Sequence, residues 1–365
     1  MNATFAFQLN QLLDHYNNEH HKLESEFNPL PRQQALGSPG YYERAHRLAH
    51  EQANALAEII DPQNQAEAAE LLRHHPLHRE VLLQSAFIRH AYLRPYGYPG
   101  DKDLMLMICN QPDEGVRNYA VLQNRVFLNL PAAAAVRQRI CSMAHLLAGL
   151  PPKSKVLNIA CGPALEVKQL CTTQPKRLVD FDLIDHDPRT IQYTLSTLGS
   201  QRVRHMRGNA LYLAHGLRAV DLVTASGGSG AESKPLTEKY SLPTAHYDLV
   251  YTMGLYDYLI HQPDNATGGT VGLTSTLFAL VKPGGRLIIG NYLETSPHNP
   301  HTLPHRLMME LYSNWQLKYR TPQEILTFLN AIDSNRHEVY LTNEYFDDPP
   351  LPRGAIGFLI ITKQS

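Results

Sequence analysis

An excess of charge of either sign is missing from this chain of 365 residues: 33 Lys and Arg stand against 34 Asp and Glu, a formal net charge of -1. Without a basic stripe the chain is not suited to a polyanion, so no nucleic-acid partner is expected. Cysteine is scarce as well. Cys109, Cys141, Cys161 and Cys171 show neither metal-ligand nor disulfide spacing, so no metal is expected. The first residues carry no apolar signal run and no membrane span is read, which gives a cytoplasmic expectation. No internal repeat or low-complexity tract is present, which excludes solenoid and fibrous classes. His20, His21, His74, His75 and His78 fall in polar stretches without a supporting carboxylate pattern and read as solvated surface. What remains is a globular chain with 43% hydrophobic residues, long enough for more than one domain.

The positive signal begins at residues 156–166, an apolar strand pattern that stops at Cys161-Gly162-Pro163-Ala164 and turns into a helix pattern. Gly162 has no side chain, so backbone can approach a ligand there. Pro163 and Ala164 open the helix with its amides toward the bound molecule, and Glu166 suits that end electrostatically. An ordinary tight turn explains the same residues. Strand and helix patterns then alternate. A second strand at 181–184 closes on Asp185-His186-Asp187-Pro188. Asp185, about twenty residues past the glycine, can accept both hydroxyls of a ribose or cap the next helix, for which Asp187 is better placed. A third strand at 202–206 ends at Gly208-Asn209-Ala210, where the Asn209 side-chain oxygen could receive an adenine amine. A fourth runs over 247–253, a fifth follows Lys282-Pro283-Gly284-Gly285, and two more patterns cover 338–342 and 355–362. Residues 224–246 read as a Ser- and Gly-rich loop, and 292–315 as an inserted loop and helix.

In that order these motifs resemble the class I S-adenosylmethionine-dependent methyltransferases, over about residues 150 to 365. The usual Gly-x-Gly is replaced here by Cys-Gly-Pro-Ala. The resemblance implies an α/β fold, with a seven-stranded, mostly parallel Rossmann-like sheet whose last strand is antiparallel, and a cofactor lying across the strand ends. The expected cofactor contacts are Ala160, Gly162, Pro163 and Glu166 on the shelf, Asp185 and His186, Asn209 and Ala210, Thr252 and Met253, with Tyr96. A narrower resemblance is carried by residues 96–101, 135–139, 162–167, 254–259 and 314–321. These look like a bacterial subgroup that includes proteins for making 3-hydroxypalmitic acid methyl ester. Kinship to azetidine-2-carboxylate synthases, which cyclise S-adenosylmethionine, is also suspected.

Residues 1–150 show helical spacing at Leu9, Leu12, Leu13 and Tyr16, and again over 42–60, 81–93 and 132–150. They read as an N-terminal helical cap on the sheet domain. Tyrosine is the suggestive residue, because aromatic faces hold a sulfonium cation for about 0.5–2 kcal/mol without competing for its carbons. Tyr96, Tyr98 and Tyr251 are the favoured rings, each with packed core as the plain alternative. Asp101 can take the ammonium of the methionine tail or cap the helix that starts at Lys102. Tyr98, Asp101, Tyr251 and Asn291 form the expected catalytic set, and Tyr256, Asp257 and Arg320 the substrate set, with Arg320 alternatively paired to Glu324.

The expected reaction is methyl transfer to a carboxylate or hydroxyl oxygen of a small or lipid-like acid, leaving S-adenosylhomocysteine. Residues 251–256 lack the Asn- or Asp-Pro-Pro pattern of enzymes that methylate nucleobase amines. The alternatives are cyclisation of S-adenosylmethionine with release of methylthioadenosine, and a catalytically silent sensor of that molecule. A small-molecule substrate is expected in the first case; the oligomeric state is not legible.

Overall fold

The structure, a computed structural model, describes residues 3–199, 202–224, 236–265, 267–294, 303–342 and 355–364. The chain divides into two compact units, Met1–Arg137 with Pro300–Gln316, and Gln138–Asn299 with Leu317–Ser365. In chain order the first helices are α1 (Ala3–Phe27), α2 (Arg32–Gly37), α3 (Pro39–Ile59), α4 (Gln65–His74), α5 (Ala86–Leu93), α6 (Lys102–Asn110), α7 (Asn118–Leu128) and α8 (Pro131–Ala148). Later come α9 (Leu165–Thr173), α10 (Pro188–Leu198), α11 (Ala210–Ala214), α12 (Gly269–Leu280), α13 (Leu303–Tyr312) and α14 (Pro322–Leu326). Among the described residues no helix is long and apolar enough to cross a membrane.

The first unit is helical because its apolar residues recur at helical spacing. In α1 the buried Leu9, Leu13, Tyr16, His20, Leu23 and Phe27 step by four and three residues, which keeps them on one stripe. The division falls at Arg137 rather than near 150, and 300–316 returns to this unit. That return has a packing cause. Trp315 is buried and meets the Phe87 ring edge-on at 6.2 Å, while Tyr312 lies 6.1 Å from Phe127. His20, His75 and His78 are buried, not solvated. His20 sits between the Tyr119 hydroxyl and, at 3.0 Å, the Gln52 side-chain oxygen. His78 Nε2 donates to the Tyr312 carbonyl at 3.1 Å.

The second unit is built on one sheet of β1 (Lys155–Ile159), β2 (Asp180–Asp185), β3 (Val203–Arg207), β4 (Ala219–Thr224), β5 (Leu236–Ser241), β6 (Tyr247–Thr252), β7 (Val281–Tyr292), β8 (His337–Thr342) and β9 (Ile356–Lys363). Their order is β5-β4-β3-β2-β1-β6-β7-β9-β8. The sheet therefore has nine described strands rather than seven. Four neighbouring pairs are parallel and four antiparallel, so it is mixed rather than mostly parallel. All seven strands expected from sequence are present. The two additions, β4 and β5, form an antiparallel pair on the edge beside β3. β5 is almost wholly exposed and reads Leu-Thr-Glu-Lys-Tyr-Ser, so no apolar alternation marks it. The central strands β1, β2 and β6 are buried on both faces, as parallel strands covered by helices must be.

His205 on β3 is buried, and its surroundings fix it as neutral. The Thr194 hydroxyl donates to the Ile191 carbonyl at 3.0 Å, so at 3.1 Å it accepts from His205 Nδ1. Nε2 is buried and has no partner among the described residues. Burial pushes the imidazole down to about 4 from its usual 6.5. As pH falls through that interval the unfolded chain takes up a proton that the folded one refuses, so stability is lost. Relative to His205→Leu, the wild type should lose about 3 kcal/mol between pH 7 and pH 4 in urea titrations. A difference independent of pH contradicts the buried neutral imidazole.

Candidate functional site

Strands β1, β2, β3 and β6 are mutually parallel through their pairings, so their last residues, Ile159, Asp185, Arg207 and Thr252, lie along one edge of the sheet. Beyond Ile159 the backbone is strained. Ala160, Gly162 and Ala164 have φ of 54°, 53° and 46°, all in the left-handed region. Two of the seven non-glycine residues with positive φ among the described residues thus stand within five positions, and such residues cost about 1–3 kcal/mol each unless the surroundings enforce them. The helix begins at Leu165, with Ala164 before it, rather than at Pro163 as the sequence suggests. Ala164 offers no side-chain cap, so the first amides of α9 receive none from it. A β-carbon placed on Gly162 meets nothing within 4 Å. The glycine leaves open space in front of the turn.

Asp185 holds the turn. One carboxylate oxygen accepts from Gly162 N–H at 3.0 Å and the other from Asp187 N–H at 3.0 Å. His186 lies 3.4 Å from Asp185 Oδ1, and this contact raises the imidazole above its usual value. Oδ2, with the Gly162 amide as its donor, retains a second lone pair, so the geometry leaves room for a hydroxyl donor there. Asp187 caps α10 through Arg189 N–H. Asn209 caps α11, its side-chain oxygen accepting from Leu211 N–H at 2.9 Å. Ala210 is the first residue of that helix.

A buried polar group lies beneath the turn. Glu166 Oε1 accepts from Asn158 Nδ2 at 2.8 Å and from the Tyr251 hydroxyl at 2.7 Å. Burial raises the Glu166 carboxyl above its usual value and pushes the Tyr251 phenol up as well, so the phenol stays protonated and donates. The Cys161 thiol is likewise raised by burial and is not a thiolate. Two atoms here are buried without a partner among the described residues, Thr252 Oγ1 and Arg139 Nε. Arg139, which closes the 135–139 block but carries no role expected from sequence, donates through Nη1 to the Met253 carbonyl, and a β-carbon on Gly254 would lie 3.2 Å from that same nitrogen. Its partner is 114 residues away, so spacing gives no hint of it.

Next along the edge, Arg320 is buried and donates through Nη1 to the Tyr256 carbonyl at 2.7 Å and to Asn291 Oδ1, and through Nη2 to the Leu259 carbonyl at 2.7 Å. Asn291 in turn donates to the Tyr292 and Lys318 carbonyls. Arg320 and Asn291 are thereby engaged with the backbone, and no Arg320–Glu324 ion pair forms; Glu324 completes a capping box with Thr321. Asp257 is buried, accepts from Tyr292 N–H at 2.7 Å, and is pushed by burial to about 7. Tyr256 is buried with its hydroxyl 2.8 Å from Thr274. Among the described residues no group of three or more His, Cys, Asp or Glu is arranged to hold a metal.

Tyr96, Tyr98 and Asp101 belong to the helical unit. Asp101 caps α6 through the Asp103 and Leu104 amides and accepts from His90 at 2.9 Å. The Tyr96 hydroxyl donates to Asp103, and the Lys102 ammonium lies 5.5 Å from the Tyr96 ring centre. Tyr98 meets Tyr96 edge-on at 6.4 Å. The ring that sequence offers to a sulfonium already carries a protein cation.

No family model matches the chain, and no curated protein matches it. Solved structures do. A possible exported protein from Bordetella parapertussis matches with a TM-score of 0.51 and 19% identity, over 90% of this chain and 99% of that one. The S-adenosylmethionine-dependent methyltransferase SibL, in its apo form, matches with a TM-score of 0.45 and 14% identity, over 99% of this chain and 96% of that one. The 1,6-didemethyltoxoflavin-N1-methyltransferase of Burkholderia thailandensis, bound to 1,6-didemethyltoxoflavin and S-adenosylhomocysteine, matches at 0.36 and 14%, over 62% and 78%. The chain shares the mixed α/β fold of the Bordetella protein, and S-adenosylmethionine-dependent methyltransferases are among the structures to which it is similar.

Proposed function

We propose that the edge formed by the ends of β1, β2, β3 and β6 binds S-adenosylmethionine, and that the protein transfers its methyl group to an oxygen of a small or lipid-like acid. The carrying observation is the strained turn at 160–164, open above Gly162 and tied by its amide to the Asp185 carboxylate. A strained turn with open space above its glycine, beside an acid, suits a nucleoside. Asp185 accepts from the ribose hydroxyls, through Oδ2 first, His186 flanks it, and the start of α9, which Ala164 does not cap, faces the methionine tail. Thr252 Oγ1, buried and unsatisfied, supplies a further hydrogen-bonding atom on the same edge.

The chemistry asks little of the residues. An acceptor oxygen donates a lone pair to the methyl carbon, the carbon–sulfur pair returns to sulfur, and the sulfonium charge is lost, so orientation and dryness contribute most of the rate. Glu166 and Tyr251 are bonded to each other, and Arg320 and Asn291 to backbone. None of them is poised to strip a proton. That favours a carboxylate acceptor, which needs no base, over a hydroxyl.

Gly162→Ala tests the opening directly. A left-handed alanine costs about 1 kcal/mol of stability, yet its methyl enters the space in front of the turn. S-adenosylmethionine uptake in equilibrium dialysis should fall at least about tenfold, as it should for Asp185→Ala, roughly 1.4 kcal/mol of binding. Unchanged uptake in both variants contradicts the site. Incubation with S-adenosylmethionine alone separates the reactions: methylthioadenosine signals cyclisation, turnover only after an acid is added signals transfer, and binding without turnover signals sensing.

Asp257 gives the pH test. With a carboxylate acceptor, kcat/KM should stay level through pH 7, and Asp257→Asn should change it by less than about threefold. A rise centred near the Asp257 value of about 7, abolished by the variant, instead assigns a hydroxyl acceptor with Asp257 as its base.

A further inference from the structure

The same parallel register that gathers strand ends on one edge gathers strand starts on the other, and a second cleft lies there. Its volume is about 340 Å³. Lys155 opens β1, His246 and Tyr247 stand at the start of β6, Asp182 is on β2, Arg204 on β3, and Tyr240 comes from the added strand β5. Arg204 makes two bonds of 2.6 Å to Asp182, which also accepts from the Tyr247 hydroxyl at 2.6 Å, and its guanidinium lies 5.1 Å from the Tyr240 ring centre. Arg202, also in the lining, pairs with Asp180 at 2.9 Å. The carboxylates of the cleft are thus taken by the arginines.

Lys155 is different. Its ammonium meets His246 Nε2 at 3.2 Å, and no carboxylate pairs with it among the described residues. Asp248, the nearest acid in sequence, accepts instead from the Lys155 backbone N–H and from Lys282. Three permanent cations face two carboxylates in the lining, so one positive charge is left over, beside an imidazole that gains a second donor on protonation. The aromatic walls Tyr240 and Tyr247 suit a flat body. We propose that this cleft is a second ligand site, for a small oxyanion, a carboxylate or phosphate group, received by Lys155 and His246. It does not serve the methyl-transfer edge: strands of five or six residues separate the two, about 13–17 Å from first residue to last at 3.3 Å per residue. The inference rests on the sheet and not on the cofactor reading.

An arriving anion favours the charged imidazole. The groups facing His246 are Lys155, Arg204, Asp182 and Asp248, with the Tyr247 ring edge-on at 5.0 Å; burial, then Lys155, hold its value below the usual one. For benzoate, whose charge is constant over this interval, binding should therefore take up a proton and tighten as pH falls from 8 to 6.

Titration calorimetry of the full chain with inorganic phosphate and with benzoate, at constant ionic strength in chloride, reads the site. At least one probe should bind, and Lys155→Met should weaken it by about tenfold or more, while the charge control Lys168→Met, at an exposed position of α9, should not. His246→Asn should keep binding but remove the proton uptake, seen by repeating the titration in buffers of different ionisation heat. This second variant decides the matter if Lys155→Met does not fold. Binding of phosphate alone or of benzoate alone names the head group and supports the site. Absence of binding by both probes, equal loss in Lys168→Met, or proton uptake unchanged in His246→Asn overturns it.

Discussion

The candidate site in the second unit depends on the register of four parallel strands. The pairings Asn158↔Leu183 and Asn158↔Tyr251 put Asn158 and Tyr251 side by side on neighbouring strands, and from there both reach Glu166 Oε1. A slip of one residue would turn each side chain to the opposite face. Glu166 would then be a buried carboxyl without donors, at a cost of several kcal/mol. The polar contact beneath the turn is thus a lock on the register. The register in turn sets Asp185 beside Gly162, and that bond, together with those from Cys161 N–H to the Ile184 carbonyl at 2.9 Å and from Ala164 N–H to the Cys161 carbonyl at 3.0 Å, holds the left-handed turn.

Buried ionisable groups are handled in two ways along this edge. Arg320 keeps its charge and spends its fork on three carbonyl-type oxygens, joining the segment 256–259 to β7. A lysine has no planar fork and could not hold the three at once. Asp257 and Glu166 are instead shifted toward the neutral form by burial, the cheaper course where no cation is bonded directly. The Arg139 guanidinium donates to the Met253 carbonyl, and its Nε has no partner among the described residues. That places an incompletely bonded cation beside Gly254, on the edge where an acidic acceptor is proposed to lie.

How much of this is legible in sequence follows from where each signal resides. The central strands announce themselves, because burial on both faces demands continuous apolar runs, and the turn at 160–164 and the Asp185-His186-Asp187-Pro188 sequence are local. β5 escapes because an exposed edge strand is free to be polar. His20 reads as surface from its polar neighbours, yet Tyr119 and Gln52, 99 and 32 residues away, satisfy both its nitrogens in the core. The unit boundary escapes for a related reason. Residues 300–316 look like an insertion in the sheet domain, and only Phe87 and Phe127 explain where Trp315 and Tyr312 go. Local chemistry is readable; long-range partnership is not.

The two sites proposed on the edges of the sheet would recognise their ligands with different materials. At the strand ends the binding elements are main-chain amides and one acid held by backbone donors, with strain stored in the turn, so selectivity lies in shape. At the strand starts they are side-chain charges, two of them cancelled by carboxylates and one left over, so selectivity lies in charge and varies with pH and salt. β1 and β2 contribute to both, and both are buried along nearly their whole length. Any effect of a ligand at the strand starts on the other edge would pass through the pairing of these strands and not through contact. Any coupling between the two edges must appear equally in both affinities.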